Sequence, residues 1–513
     1  MRKIVLTLVL LLWGIISLAQ NKVIINADSV ETKISKHIYG HFAEHLGRCI
    51  YDGIYVGDDS TNIPNTNGVR NDVIEALKNL NIPNLRWPGG CFADTYHWKD
   101  AIGPKDMRKP IENLSWGNYR EDNSFGTHEF LNMCELLGAE PYLAVNMNTG
   151  TVREAVEWVQ YTTHTNGTSY LTDLREKNGR DKPWNVKYWG IGNESWDCGG
   201  DMTVEYYTNL YRRFATAMTD YNNSKKLFRI AVGPGWADYD WTEKIMKDIP
   251  AKRIEGLSVH HYSVIDWSHK GSSYEFNNEE YFSTMEKAWF MEEFITKNSE
   301  VMDKYDPEKR VALVVDEWGG WYDSDPSGNG VLYQQNTIRD AMIAGLTLNI
   351  FNNHADRVKM ANLAQTVNVL QSVILTKGEK LILTPTYHVM EMYKVHQDAL
   401  LVPVEVISED FVLGDRKLKA LSVSASIDES GKMHISLTNI DDKNGKEVEL
   451  NLKGFNTQNV TGRILTSNKV QDHNTFENPT KVVPESFNGI THSGDNLLVN
   501  MPPNSVVVLE LSE

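Results

Sequence analysis

Eight short apolar runs alternate with longer helical patterns between residues 36 and 385, and this alternation limits the possible folds most strongly. The runs occupy residues 38–42, 84–87, 141–145, 186–191, 229–232, 257–260, 311–315 and, more weakly, 360–363. Apolar residues recur at helical spacing in the segments 69–80, 125–138, 151–163, 204–221 and 331–349. The pattern predicts an α/β fold in which eight parallel strands close a (β/α)8 barrel.

The periodicity changes to two after Pro385, which is typical of strands with one buried face. We therefore predict a C-terminal antiparallel β-sandwich, jelly-roll-like in type, over residues 386–513. Residues 22–27 also form a predicted strand, and the segment 20–35 is expected to join that sandwich. The barrel would span residues 36–385.

Composition restricts the class of partner. The chain has 513 residues, of which 41% are hydrophobic, so it can bury a large core. Its formal charge of −17 argues against nucleic acid, because phosphate binding needs a basic surface. A neutral substrate is the simpler expectation.

The N-terminus has the pattern of a secretory signal peptide. Arg2 and Lys3 precede about fifteen apolar residues, and Ser17 to Ala19 offer small side chains for cleavage. We predict removal of residues 1–19 and export to the periplasm or the exterior, with an uncleaved anchor as the alternative. Four cysteines remain, Cys49, Cys91, Cys134 and Cys198, which permit a disulfide without requiring one.

Two glutamates follow two of the predicted strands. Glu194 comes after the fourth run and Glu317 after the seventh, so both would lie at the mouth where barrel enzymes have their active sites. Glycoside hydrolysis uses such a pair of carboxyl groups. Aromatic side chains suited to sugar rings are expected around them, namely Trp87, Trp98, Trp189, Trp196, Trp318, Trp321, Tyr262 and Tyr322.

Six motifs resemble those of glycoside hydrolase family 51, whose characteristic members are α-L-arabinofuranosidases. They are YGHFAEHLGRCIYDGIY, LRWPGGCFADTYHW, YWGIGNESWDCGG, LSVHHY, VDEWGGWY and LTPTYHVMEMY. The resemblance implies a barrel with a C-terminal sandwich. It also implies a retaining mechanism in which Glu317 is the nucleophile and Glu194 the acid/base, with carboxyl groups about 5–5.5 Å apart.

The resemblance implies further substrate-binding residues. They are Glu44, Arg86, Cys91, Asn193, His260, Tyr262, Trp321 and Gln365. His260 and Tyr262 would orient the nucleophile, Arg86 would bind the carboxylates or brace its loop, and Trp321 would form part of the aglycone wall. Many family members have Asn at position 91, so the thiol expected there would be a weaker hydrogen-bonding group.

The expected function is exo-acting hydrolysis of terminal α-L-arabinofuranosyl residues from arabinan, arabinoxylan or derived oligosaccharides. Two alternatives stay open, a related endo-β-1,4-glucanase or β-xylosidase and a non-catalytic carbohydrate-binding barrel. The sequence contains no phosphate loop or nucleotide fingerprint, so no cofactor is implied. His41, Glu44 and His45 fall at the end of a strand instead of on one helical face, so no metal is expected there either. A membrane span in the mature chain is not expected, and family resemblance suggests a possible homo-oligomer.

Overall fold

The computed structural model describes residues 21–219, 226–328, 330–493 and 496–513. Eight parallel strands in these ranges close a barrel, as the sequence predicts. In chain order they are β1 Gly40–Phe42, β2 Asn84–Trp87, β3 Glu140–Val145, β4 Tyr188–Ile191, β5 Phe228–Gly235, β6 Gly256–Ser263, β7 Ala312–Gly320 and β8 Val358–Ala364. Each strand pairs with the next along the chain, and β8 pairs with β1.

Helices surround the barrel. They are α1 Asn71–Asn79, α2 Thr127–Leu137, α3 Val152–Thr163, α4 Tyr170–Lys177, α5 Val204–Ala217, α6 Tyr239–Asp248, α7 Asn278–Tyr305, α8 Ile338–Asn353 and α9 Pro385–Tyr393. Because right-handed βα connections place helices on the outer face of a parallel sheet, the helices cover the strands and bury a continuous apolar core between the two layers.

Helix α8 begins later than the sequence pattern indicates. The segment 331–349 was expected to be helical, but the helix starts at Ile338. Thr337 caps it by accepting a hydrogen bond from the backbone N–H of Arg339, and Asp340 binds back to the N–H of Thr337. This capping box fixes the first turn, and residues 331–337 form a loop at the barrel mouth.

Two sheets form the C-terminal sandwich. The first has the strand order Val404–Ile407, Asn21–Asn26, Lys446–Lys453, Asn496–Met501 and Ile490–Ser493. The second has the order Leu400–Val402, Leu421–Ile427, Met433–Asn439, Ser505–Ser512, Asn459–Leu465 and Glu485–Ser486. The strand Asn21–Asn26 therefore joins the sandwich, antiparallel to one neighbour and parallel to Lys446–Lys453.

Short hairpins complete the β structure. They are Asn65–Thr66 with Val69–Arg70, Ile111–Asn113 with Tyr119–Glu121, Ile374–Lys377 with Lys380–Leu383, and Asp410–Leu413 with Arg416–Lys419. The hairpin Ile111–Asn113 with Tyr119–Glu121 lies in the loop after β2, where it carries Trp116 toward the barrel mouth.

Helix α8 connects the barrel with the sandwich through buried polar contacts. Ser424 donates its hydroxyl to Asn349 Oδ1 at 2.8 Å and accepts from Asn352 Nδ2 at 3.1 Å. Buried polar groups are tolerated where they satisfy one another, so this contact fixes how the sandwich sits on the barrel. Within the described ranges, none of the helices combines the length and apolarity needed to cross a bilayer.

Candidate active site

Glu194 and Glu317 meet at the carboxyl ends of the barrel strands. Glu194 lies in the loop after β4, where its φ of +36° places a non-glycine residue in the left-handed region. Glu317 lies within β7 and is 6% exposed. One carboxylate oxygen of Glu194 and one of Glu317 lie within 4.8 Å of each other, and a ring nitrogen of His260 lies within the same distance of both. The sequence-based expectation that the two carboxyl groups face one mouth agrees with this geometry.

Arg86 and Tyr262 hold the carboxylate of Glu317 from both sides. Arg86 donates from Nη1 to Oε1 at 2.8 Å, and the Tyr262 hydroxyl donates to Oε2 at 2.7 Å. A Cβ on Gly90 would stand 2.9 Å from Glu317 Oε1, so the glycine lets this loop approach the carboxylate closely. These contacts orient the carboxylate of Glu317.

His260 lies between three carboxyl groups. Its Nδ1 is 2.8 Å from Glu194 Oε1 and 3.5 Å from Glu317 Oε2, while its Nε2 is 3.1 Å from Asp316 Oδ1. Burial alone would lower the pKa of His260, but the charge of Glu317 and the hydrogen bond to Asp316 raise it to about 10. The imidazolium therefore offsets part of the negative charge in the site.

Asp316 anchors this imidazolium from behind. Burial would raise the pKa of Asp316, but the charges of Arg86 and His260 lower it below its usual range. The Tyr142 hydroxyl also donates to Asp316 Oδ2 at 2.6 Å. Sequence reasoning assigned no role to Asp316 or Tyr142, although Asp316 directly precedes the predicted nucleophile in the chain.

The pKa of Glu194 is raised above its usual range. Burial raises the pKa of Glu194 most, and the negative charge of Glu317 raises it further, while His260 opposes both effects. A raised pKa is what a general acid needs.

Glu44 is a further buried carboxyl group beside the pair formed by Glu194 and Glu317. Its Oε1 accepts from the backbone N–H of Gly90 at 2.9 Å and from Trp116 Nε1 at 2.9 Å, and its Oε2 accepts from Gln365 Nε2 at 2.7 Å. Burial and then the charge of Glu317 raise the pKa of Glu44 to about 7. Glu44, Trp116 and Gln365 all line the cavity, and Trp116 was not predicted.

Arg86 and Asn193 stand behind the cavity wall instead of lining it. Both are buried, and Arg86 Nη2 donates to Asn193 Oδ1 at 2.6 Å. Arg86 was grouped with the substrate-binding residues, with binding of the carboxylates or bracing of its loop as its expected roles. The structure places its guanidinium on Glu317 and Asn193. The Oδ1 atom of Asn193 accepts from Arg86, and its Nδ2 donates to the Cys198 sulfur at 3.9 Å.

Asp94 shapes the loop that carries Asn193 and Glu194, and sequence reasoning missed it. Its Oδ2 accepts from the backbone N–H of Asn193 at 3.1 Å, and its Oδ1 accepts from that of Met147 at 2.7 Å. Burial raises the pKa of Asp94 to about 7. Its position in the motif LRWPGGCFADTYHW was the available signal.

The expected thiol contact at Cys91 is wrong, because Cys91 forms a disulfide with Cys198. A disulfide sulfur has no S–H to donate to a sugar. The bond joins the loop after β2 to the loop after β4, and the Cys198 sulfur lies 3.6 Å from Glu194 Oε2. Cys91 therefore contributes to the cavity wall next to the acid/base candidate. Cys49 and Cys134 are free and buried.

The cavity above the glutamates has a volume of about 1040 Å³. Trp196, Trp321 and Tyr262 line it as expected. The other predicted rim aromatics are buried in the core, which corrects the expectation for Trp87, Trp98, Trp189, Trp318 and Tyr322. The reason is the alternation of side chains along a strand: Glu317 faces inward, so Trp318 points outward and packs on Phe351 of α8.

Glu194, His260 and Glu317 present donor atoms close enough together to be considered for a metal ion. Arg86 and Tyr262, however, occupy the two oxygens of Glu317 at hydrogen-bonding distance. A cation would have to compete with the Arg86 guanidinium, so the arrangement suits carboxyl chemistry better.

Comparisons with known protein families agree with this geometry. Residues 76–279 match the model of the α-L-arabinofuranosidase 1 domain, and residues 316–505 match that of the α-L-arabinofuranosidase C-terminal domain. The chain is 49% identical over 490 residues, 95% of each chain, to a Bacteroides ovatus protein named intracellular exo-α-L-arabinofuranosidase.

Solved structures give the same result. The chain is similar to a crystal structure of the GH51 arabinofuranosidase from Xanthomonas axonopodis pv. citri, with a TM-score of 0.94 and 44% identity over 96% of this chain and 100% of that one. An arabinose complex of the Thermotoga maritima α-L-arabinofuranosidase has a TM-score of 0.84 and 33% identity, over 96% of this chain and 99% of that one.

One sequence-based expectation is overturned by these comparisons. Export to the periplasm or the exterior was predicted, but the Bacteroides ovatus relative is named intracellular. The predicted signal peptide, residues 1–19, lies outside the described residues.

Proposed function

Because the chain belongs to glycoside hydrolase family 51 and is an exo-acting α-L-arabinofuranosidase, we propose that it works by retaining double displacement. Glu317 is the nucleophile and Glu194 the acid/base in this mechanism. The observation that carries the proposal is that one carboxylate oxygen of Glu317 lies within 4.8 Å of one carboxylate oxygen of Glu194. Retaining pairs stand about 5–5.5 Å apart, whereas inverting pairs leave about 6.5–9.5 Å for a water molecule.

In the first step Glu317 attacks the anomeric carbon while Glu194 protonates the departing oxygen. Glu194 Oε1 faces His260, so Oε2, the oxygen beside the Cys198 sulfur, is the one free to deliver the proton. The C–O bond to the aglycone breaks, and an ester forms between arabinose and Glu317. In this proposal Glu44 and Gln365, which line the cavity, bind hydroxyl groups of the arabinose. The second hydrogen of Asn193 Nδ2 binds the hydroxyl next to the anomeric carbon once the sugar is seated.

In the second step a water molecule cleaves the ester. Glu194 is now a carboxylate and takes the proton of the attacking water. Esterification has removed the charge of Glu317, which is one of the causes that raise the pKa of Glu194, so that pKa falls when Glu194 must act as a base. Arabinose leaves with its anomeric configuration retained.

The test follows the two roles of the glutamates. Glu317→Ala is expected to abolish turnover of every arabinofuranoside. Glu194→Ala is expected to slow substrates with poor leaving groups about 10²–10⁴-fold, while nitrophenyl arabinofuranoside suffers less. Added azide should restore turnover by the Glu194→Ala variant and give a glycosyl azide of retained configuration, identified by NMR. A product of inverted configuration would refute the mechanism.

We propose arabinan, arabinoxylan and their oligosaccharides as the arabinose-containing substrates. The comparisons support arabinofuranosidase activity and give no support to the glucanase, xylosidase or non-catalytic alternatives. Release of arabinose from each polymer, measured beside soluble β-1,4-glucan, tests the preference. Assembly into a homo-oligomer stays a prediction, which light scattering can check. The domain boundaries at residues 35 and 385 also stay predictions.

A further inference from the structure

Four tryptophans form a continuous aromatic surface from the catalytic pair toward solvent. We call Trp196, Trp236, Trp267 and Trp321 the tryptophan ledge. The ring centroids of Trp321 and Trp267 are 5.4 Å apart, those of Trp267 and Trp236 4.9 Å, and those of Trp236 and Trp196 6.5 Å. All four side chains line the cavity that contains Glu194 and Glu317.

The ledge begins at the nucleophile. Trp321 packs edge-on against Tyr262 at 5.1 Å, and the Tyr262 hydroxyl donates to Glu317. A sugar bound in contact with Trp321 therefore lies next to the reacting carbon, and any sugar beyond it reaches Trp267 and Trp236. The cavity volume of about 1040 Å³ leaves room for more than one furanose ring.

The outer end of the ledge is exposed to solvent. Trp236 is 56% exposed and Trp267 is 43% exposed, whereas the other tryptophans of the described residues are buried or partly buried. Trp236 also has a φ of +61°, which is strained for a bulky residue and is typical of functional positions. A Cβ on the preceding Gly235 would stand 2.3 Å from Trp196 Cζ2, so Gly235 allows Trp196 to pack against it.

The charges around the ledge select against acidic sugars. Asp197, Asp266 and Glu286 line the same cavity, against Lys287 among its lining residues and Lys270, whose Nζ lies 5.7 Å from the centroid of the Trp267 ring. The acidic groups therefore outnumber the lysines by one. Flat aromatic faces bind the C–H surfaces of sugars, while acidic side chains accept hydrogen bonds from hydroxyl groups and repel carboxylates. The ligand that fits is a neutral oligosaccharide.

We propose that the tryptophan ledge binds aglycone sugars beyond the one that carries the cleaved arabinose. The enzyme then prefers neutral pentose oligosaccharides with at least two aglycone units over short substrates. This inference rests on the proposed function, since it takes the sugar joined to Glu317 as its starting point.

The experiment compares kcat/KM for α-1,5-arabinotetraose with kcat/KM for nitrophenyl arabinofuranoside. Trp236→Ala and Trp267→Ala are expected to lower the ratio of the two values by about tenfold, which corresponds to roughly 1.4 kcal/mol. Trp236→Phe should recover most of the ratio, because it keeps an aromatic face. A parallel series with arabinosylated xylo-oligosaccharides shows which pentose backbone the ledge accepts.

Tyr206→Ala provides the matched control. Tyr206 is 60% exposed on α5 and is not among the lining residues, so the ratio should stay at the wild-type value. The proposal is overturned if both tryptophan variants keep the wild-type ratio. It is also overturned if Trp236→Ala keeps the ratio and changes the oligomeric mass, since the ledge would then be an interface between copies. Either result leaves the roles of Glu194 and Glu317 untouched, because these are tested by product configuration.

Discussion

His260 is the residue that links the charges of the site. It contacts Glu194, Glu317 and Asp316, and it carries the positive charge that lets several acidic groups share a buried space. Its hydrogen bond and charge lower the pKa of Glu194, against the larger effect of burial. His260 therefore sets how readily Glu194 gives up its proton.

Removing this imidazole should shift the pH dependence in a defined direction. The first step requires protonated Glu194, so activity falls as pH rises through the pKa of Glu194. His260→Asn removes an influence that lowers this pKa, and the basic limb of the kcat/KM profile should move to higher pH. Methyl arabinofuranoside is the suitable substrate, because its leaving group needs the proton.

The neighbouring histidine provides the control for the pH profile. His261 Nε2 bonds to the backbone oxygen of Lys287, and burial lowers the pKa of His261 to about 4. Its ring is therefore neutral, and His261→Asn should leave the basic limb in place. A shift of the basic limb of the kcat/KM profile to lower pH in the His260→Asn variant would contradict this account.

Tyr262→Phe tests how the nucleophile is oriented. The change removes one hydrogen bond to Glu317, of 2.7 Å, and leaves the ring in place. Hydrogen bonds to charged groups contribute about 1.5–3 kcal/mol, so kcat should fall roughly 10–100-fold while KM changes less. Tyr322→Phe is the matched variant, since its hydroxyl bonds Asp340, and it should retain kcat.

The chain's own sequence identifies those site residues that directly follow apolar strands. Glu194 and Glu317 could be found because both follow strand runs, and the family motifs added Glu44 and Gln365. Asp94 lies in a family motif but its role was missed. Trp116 and Tyr142 could not be found this way, because their roles depend on contacts between distant loops and strands. Trp318 was misplaced because a strand buried on both faces shows no polar alternation.

At the scale of elements, the loops after β2 and β4 are joined covalently. The disulfide links Cys91 and Cys198 across a sequence separation of 107 residues, and Asp94 adds a hydrogen bond between the same loops. Cross-links that close long segments restrict the unfolded chain. The wall beside Glu194 is therefore held from two sides.

Removing the disulfide is expected to lower stability. The double change Cys91→Ser and Cys198→Ser should decrease the free energy of unfolding by about 2–4 kcal/mol, seen as a lower Tm. A reducing agent should lower the Tm of the natural chain and leave that of the double variant unchanged. If the reductant lowered the Tm of both proteins equally, the loss of stability would not come from this disulfide.

The sequence also predicts elements better than their ends. All eight barrel strands were located, since β-branched runs bounded by helical patterns are a strong signal. The start of α8 was placed seven residues early, at 331 instead of Ile338, because apolar side chains of a mouth loop imitate helical spacing. Hydrogen bonds at Thr337 decided the boundary, and they depend on three-dimensional contacts.

At the scale of the whole molecule, the strand Asn21–Asn26 completes the sandwich core. Val23 and Ile25 are fully buried there, whereas Ile24 on the opposite face is only partly buried. Ile25→Ala should lower the free energy of unfolding by about 2–5 kcal/mol through loss of burial and the cavity left behind. Ile24→Ala on the same strand should cost clearly less, and thermal unfolding compares the two. If both variants kept the Tm of the natural chain, this strand would add little to the core.

The order of synthesis gives this strand a further consequence. Asn21–Asn26 leaves the ribosome early, but its partners Val404–Ile407 and Lys446–Lys453 are made hundreds of residues later. Val23 and Ile25 therefore lack their native packing partners while the whole barrel is translated. Long-range pairing of this kind slows folding, so a helper protein that shields the emerging segment would raise the yield of native enzyme.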